Sequence, residues 1–166
     1  MKYISQIFGF IGLSLFFATA SAATVPLTKG MRITKSTTIK KGVYFLEADA
    51  SLSNSVIVVE GNNITIDFNG AELCGSNNKV LPNEFKGLAV LIKGNNVTLK
   101  NAIIRGYKVA VMAQNSDALK LNDNDFSYNF RQHLKSTRER EDYSDWQSYH
   151  SNEKSEWLRF GAGIYL

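Results

Sequence analysis

One phrase recurs in this chain and limits what it can fold into. Val59-Glu60-Gly61-Asn62-Asn63-Ile64-Thr65-Ile66 returns as Ile92-Lys93-Gly94-Asn95-Asn96-Val97-Thr98-Leu99. A looser third copy reads Ala113-Gln114-Asn115-Ser116-Asp117-Ala118-Leu119-Lys120-Leu121. Each copy is a short apolar strand, a tight Gly/Asn turn, and a second strand in which apolar and polar residues alternate. Asn and Gly tolerate positive φ at little steric cost, so they are expected at such a turn. The second strands begin at Ile64, Val97 and Leu119, steps of 33 and 22 residues. A step near twenty residues is the signature of stacked repeats, each too small to bury its own apolar side. The extra residues of the longer step predict one surface insertion within Cys74 to Lys86.

Alternation across a strand puts Ile64, Ile66 and Phe68 on one face and Thr65, Asp67 and Asn69 on the other. Val97 and Leu99 continue the apolar row one coil later, and Leu119 and Leu121 two coils later. Val56-Ile57-Val58-Val59 is a continuous apolar run, as expected of a strand buried on both faces. A sandwich of antiparallel hairpins competes with this reading, but it does not explain why the turn phrase keeps its strand–turn–strand setting. The expected fold is therefore all-β, a parallel β-helix solenoid.

The predicted domain order starts with a leader. Residues 1–22 carry Lys2, a mostly apolar run from Ile4 to Ala18, and Ala20-Ser21-Ala22 as a small-residue cleavage site. That is the pattern of a secretory signal peptide and predicts a secreted or periplasmic protein. No membrane span follows the leader, and no nucleic-acid motif is present. The whole chain is +4; losing Lys2 leaves a mild positive excess without a basic block, which allows an acidic polysaccharide as partner. Residues 23–55 form the N-terminal cap and first coil, and residues 56–129 the repeated coils. Residues 130–160 form a charged, aromatic helical insertion, and residues 161–166 start the next coil. Because Ile164-Tyr165-Leu166 would leave an apolar strand edge unpaired, the expectation is a chain lacking further C-terminal coils. The one cysteine, Cys74, cannot form an intramolecular disulfide and reads as a small buried apolar residue.

Candidate functional residues concentrate where the repeat stops. Ser136-Thr137-Arg138-Glu139 has the capping-box pattern and predicts a helix start. Tyr143, Trp146 and His150 then share one face by their spacing of three and four, and a second short helix is expected from Glu153 to Phe160. Tyr143, Trp146, Trp157 and Leu158 either pack this excursion against the solenoid or offer a sugar-stacking platform. In the second case Tyr143, Trp146, Trp157 and Arg159 bind substrate, with His150 and Glu153 as weak catalytic candidates. Asp123 and Asp125, two apart, can project to one side, where paired carboxylates divide acid and base roles or hold Ca2+. Asn-Asp-Asn-Asp is also ordinary turn chemistry. Lys100, Arg105 and Lys120 are a candidate basic strip. His133 and His150 match no zinc spacing; no metal site or cofactor is otherwise evident. Asn63 and Asn96 each begin an Asn-x-Thr triplet, but the expected reading is asparagines buried in the turns.

The segments ITKSTTIKKGVYFL (33–46), VVEGNNITIDFNG (58–70) and VLIKGNNVTLKNAIIRG (90–106) resemble the right-handed parallel β-helix proteins of the pectin-lyase-like superfamily. The resemblance covers most of Ile33 to Asn129. It implies coils of three parallel sheets and a groove for polysaccharide. Members include polysaccharide lyases, glycoside hydrolases, epimerases and non-enzymatic surface proteins, so fold does not settle activity. No catalytic motif of the pectate lyases matches here residue by residue. The expectation is an exported protein that binds or processes polysaccharide, with a non-catalytic carbohydrate-binding or cell-surface scaffold as the alternative. A lyase of this kind would use Ca2+ and a basic residue to remove a proton.

Overall fold

The computed structural model describes residues 23–77, 79–133, 136–141 and 161–166. In chain order the strands are β1 (Thr24–Val25), β2 (Met31–Ile33), β3 (Thr37–Ile39), β4 (Val43–Phe45), β5 (Ser55–Val59), β6 (Thr65–Asp67) and β7 (Glu72–Cys74). They continue with β8 (Leu88–Ile92), β9 (Thr98–Lys100), β10 (Ile103–Arg105), β11 (Val109–Ala113), β12 (Lys120–Asn122) and β13 (Ala162–Tyr165). The described chain is all-β apart from one 3-10 turn, Pro82–Glu84.

These strands make three sheets, and every pairing is parallel. The first sheet has the order β13-β11-β8-β5-β2, the second β1-β3-β6-β9-β12 and the third β10-β7-β4. From β2 onward the chain visits them in a fixed rota of first, second, third, for three full rounds. A fourth round reaches the third sheet only as a bridge between Asp125 and Ile103. Register carries the repeat: Thr65 pairs with Thr98, 33 positions on, and Thr98 with Lys120, 22 positions on. The expected insertion is found. Residues 75–87 join β7 to β8, whereas 106–108 suffice between β10 and β11.

Side-chain alternation builds the core. Ile66, Leu99, Leu73, Ile104, Val90 and Val111 from the three sheets meet in one buried cluster, with Leu121 packed against it. Thr65, Asp67 and Lys100 stay partly open on the other face of their strands. The central strands of the first sheet, β5, β8 and β11, are apolar on both faces. Leu88, Leu91, Val109 and Met112 form a second buried cluster with Leu52 from the β4–β5 loop, which explains the unbroken apolar run Leu88–Ile92.

The Gly-Asn-Asn phrase is the corner between the first and second sheets. Asn63 and Asn96 take positive φ, 55° and 50°. Their side chains do more than permit the turn. Asn95 N–H donates to Asn62 Oδ1 at 2.8 Å, Asp117 N–H to Asn95 Oδ1 at 2.9 Å, and Asn96 Nδ2 to Asn63 Oδ1 at 2.9 Å. The amides thus tie one round to the next. They are exposed at the corner rather than buried, contrary to the sequence expectation, because the ladder runs along the outer rim. The glycines have a different reason. A Cβ on Gly94 would overlap the carbonyl oxygen of Gly61, and one on Gly61 would meet Thr34 O at 2.6 Å. Rounds approach here too closely for any side chain.

In the third copy, Ala118 holds the left-handed position with φ 55°. Alanine pays a Cβ clash there of about 1 kcal/mol. Ala118→Gly is therefore expected to stabilise the chain by up to about 1 kcal/mol, read as a higher urea midpoint at unchanged slope. A lower midpoint would show that the corner is not strained.

Ser136 to Glu139 does not open a helix. The described residues 136–141 bend instead, with Thr137 N–H donating to Arg140 O at 2.7 Å and Arg140 N–H to Thr137 Oγ1 at 3.1 Å. Thr137 thus spends its hydroxyl on a local turn, the alternative that Ser and Thr always offer the backbone. The remainder of the expected helical insertion, residues 142–160, lies outside the described residues, as does the leader, 1–22. After it β13 joins β11 in register, Val111 opposite Ile164.

Candidate functional site

Among the described residues a groove of about 740 Å3 opens where the chain passes from the third sheet to the first. Four successive rounds wall it. The β4–β5 loop supplies Glu47, Ala48 and Ala50, and the β7–β8 loop supplies Ser76, Asn77, Asn83, Glu84, Phe85 and Lys86. Lys108 and Phe130 close the third side.

Local chemistry sets this shape. Gly87 has φ +69° and no space for a Cβ against Ala48, so the long loop returns tightly onto the β4–β5 loop. Ser76 Oγ donates to Gly106 O at 2.8 Å and holds the other end of the loop to the next round. Beneath the groove lies Tyr107, fully buried. Its hydroxyl donates to Leu46 O at 2.7 Å, and its ring fills the place where a Cβ on Gly75 would stand at 2.5 Å. Asn129 accepts from Tyr107 N–H at 3.0 Å and donates Nδ2 to Ile104 O and Phe126 O, both at 2.8 Å. That anchoring places Phe130, whose ring lies 5.2 Å from Lys108 Nζ. The lining combines two aromatic rings, two amides, two carboxylates and two ammonium groups. None of Glu47, Lys86 and Lys108 takes part in an ion pair among the described residues.

Asp123 and Asp125 do share a hollow, a shallower one of about 390 Å3 with Asn69, Asn101 and Asn124. Their roles differ. Asp123 is an exposed turn residue with φ 54°. Asp125 is occupied: it accepts from Ser127 N–H at 2.9 Å and from Arg105 Nη2 at 2.7 Å. Hydrogen bonds from the Ser127 side chain and backbone, then Arg105, hold its carboxyl down at about 2. A group so acidic is no proton donor near neutrality. Because its folded pKa lies below the ordinary 3.8, its ionised form favours the fold above that value. The contribution is lost as pH falls from about 3.8 toward about 2. Ser127→Ala is expected to raise the Asp125 pKa measurably toward the ordinary value in a carboxyl NMR titration; an unmoved midpoint would refute the assignment.

The basic strip does not exist as one feature. Lys100 and Lys120 lie on the second sheet and Arg105 on the third. Lys100 is neutralised by Asp67 at 3.0 Å and Arg105 by Asp125 at 2.7 Å. Burial pushes the Asp67 carboxyl up, but hydrogen bonds from Asn101, Lys100 and Asn69 outweigh it and leave it lowered. Alternation on a strand was blind to which sheet each strand joins.

Cys74 is buried and free. Burial and the Glu72 carboxylate beside it push its thiol up to about 11, so it is protonated and unreactive near neutrality. His133 is exposed. Among the described residues no three His, Cys, Asp or Glu side chains gather as a metal site. Among the same residues no helix is long and apolar enough to cross a membrane. Tyr143, Trp146, His150, Glu153, Trp157 and Arg159 lie outside the described residues.

The groove residues themselves were missed. Eleven residues more in one round than in the next did signal a loop, and loops on a rigid scaffold carry sites. The 22-residue spacing of Lys86, Lys108 and Phe130 was a further signal; what it could not show is that the β4–β5 loop joins them at the same corner. Comparison with known protein families, with curated proteins and with solved structures found no match.

Proposed function

We propose that this chain forms coils of a right-handed parallel β-helix and belongs to an exported, pectin-lyase-like protein that binds polysaccharide in the groove between the β7–β8 loop and Phe130. The fold reading is supported by the fixed rota of three parallel sheets. Crossovers between parallel strands of one sheet are right-handed in about 98% of cases. The leader-like residues 1–22 support export.

The observation that carries the binding reading is the lining of the groove. Phe85 and Phe130 stand beside Asn77, Asn83, Lys86 and Lys108 in an open channel. A sugar ring has an apolar face for an aromatic and hydroxyls for amides and charges. Lys86 and Lys108 add ammonium groups for the carboxylates of an acidic chain. Binding is favoured over processing because the pair proposed for acid and base work, Asp123 and Asp125, has its inner member locked in an ion pair with Arg105.

Affinity electrophoresis in gels containing pectin, alginate or a glycosaminoglycan tests this. Retardation by at least one acidic polysaccharide is expected, reduced roughly tenfold in affinity by Phe130→Ala. Equal mobility in every gel would end the binding reading. Appearance of unsaturated uronate products on incubation would favour the lyase over the scaffold.

A further inference from the structure

Tyr128 stands in a conformation its residue type disfavours. Its φ is 57°, in the left-handed region that bulky side chains rarely enter. The corresponding corner one round earlier is Gly106, φ 77°, whose N–H donates to Tyr128 O at 2.9 Å. The fold thus asks for glycine at this corner, and the chain puts a large aromatic there instead. Nor does burial repay the strain, since Tyr128 is 76% exposed. Strain kept without a packing return points toward function.

The surroundings specify the ligand. Tyr128 covers the guanidinium of Arg105, 5.9 Å from its ring centroid, so one face of the ring is supported and the other is open. Arg105 is in register with Cys74 and Phe45 across the third sheet. In-register residues of parallel strands point the same way, and Phe45 is 69% exposed on this outward face. Two open aromatics therefore flank the sheet, about three strand spacings or roughly 14 Å apart. Between them Arg105 is paired with Asp125, and the Glu72 carboxylate accepts from the neutral Cys74 thiol, whose Sγ is 3.4 Å from Glu72 Oε1, so the one charge left over is negative. No unpaired cation remains there for an acidic chain.

We propose that the outward face of the third sheet is a second binding surface, which takes a neutral glycan laid across the strands with sugar rings on Tyr128 and Phe45. It lies on a different sheet face from the groove and does not depend on the groove being a site. Tyr128 and Phe45 supply ring faces, and Arg105 fixes the tilt of Tyr128.

The test uses the full chain in affinity gels holding a soluble neutral β-glucan or, separately, polygalacturonate, with light scattering alongside. Tyr128→Gly is the informative variant, because it removes the ring and relieves the backbone together. Neutral-glucan affinity should fall roughly tenfold while the melting temperature holds or rises; polygalacturonate retardation should be unchanged. Phe45→Ser, on an open edge strand, should lower neutral-glucan affinity by a similar factor. The proposal is overturned if the parent ignores the neutral glucan, if both variants bind it like the parent, or if Tyr128→Gly melts clearly lower. A parent dimer that Phe45→Ser converts to monomer would overturn it too, by making this face a contact between copies. Failure in polygalacturonate alone strikes the groove reading and leaves this one standing.

Discussion

Gly94→Val is expected to prevent this chain from folding stably. The new Cβ would overlap the Gly61 carbonyl oxygen of the preceding round, and Val97 Cγ2 is 3.2 Å away on the other side. The obstacle is backbone, which in turn is set by Gly61 lying against Thr34 O. Relief requires two rounds to separate at the corner, breaking the bond from Asn95 N–H to Asn62 Oδ1 and its neighbour from Asn63 N–H to Asn95 O, 3.0 Å. Overpacking with a flexible neighbour costs about 1–3 kcal/mol; against fixed backbone the upper end is the floor. A loss of at least about 3 kcal/mol, or roughly 10 °C in melting temperature, is expected. Ala118→Gly acts at the same corner one round later with the opposite sign. Circular dichroism melts of the two variants side by side check both.

Tyr107→Ala is expected to cost about 3–5 kcal/mol. Among the described residues Tyr107 is the largest fully buried side chain, and it joins four rounds: from its own, its ring backs Gly75, its hydroxyl reaches Leu46 O, and its N–H reaches Asn129. Removing it leaves a cavity under the groove and an orphaned carbonyl. Tyr107→Phe keeps the ring and loses only the hydroxyl, at about 1 kcal/mol. The pair of variants separates packing from hydrogen bonding in urea unfolding. Near-equal effects would contradict the packing role. Because the Leu46 carbonyl tethers the chain just before Glu47, Tyr107→Phe should also weaken polysaccharide retardation more than its stability cost explains.

Much of the architecture was legible because period-two alternation and a recurring corner are local signals. Ile66, Leu99 and Leu121 could be placed in one inward row from spacing alone, and they pair in that row. The insertion between Cys74 and Lys86 followed from comparing two steps of the same repeat. The reason for Gly61 and Gly94 was not legible. Positive φ was the natural account, yet Asn63 and Asn96 carry it, and the glycines answer a contact between residues 33 positions apart. The site was only partly hidden. Lys86, Lys108 and Phe130 recur at the 22-residue step of the repeat, a signal that could have placed them together; Glu47 lies outside that series, and all four meet because the corners of successive rounds lie one above another. Asp123 and Asp125 drew notice by being two apart in sequence, but the cation paired with Asp125, Arg105, sits one round back. Ser136 to Glu139 shows the reverse error, a correct local pattern that a competing local turn at Thr137 overrode.

Backbone amide chemical-shift mapping locates polysaccharide on the chain. On titration with short acidic oligosaccharides, shifts are expected to cluster at Glu47, Ser76, Asn77, Asn83 to Lys86, Lys108 and Phe130, the residues of one corner from four rounds. Saturable shifts that instead gather at Asn101, Asp123 and Asp125, with the groove silent, would contradict the groove reading.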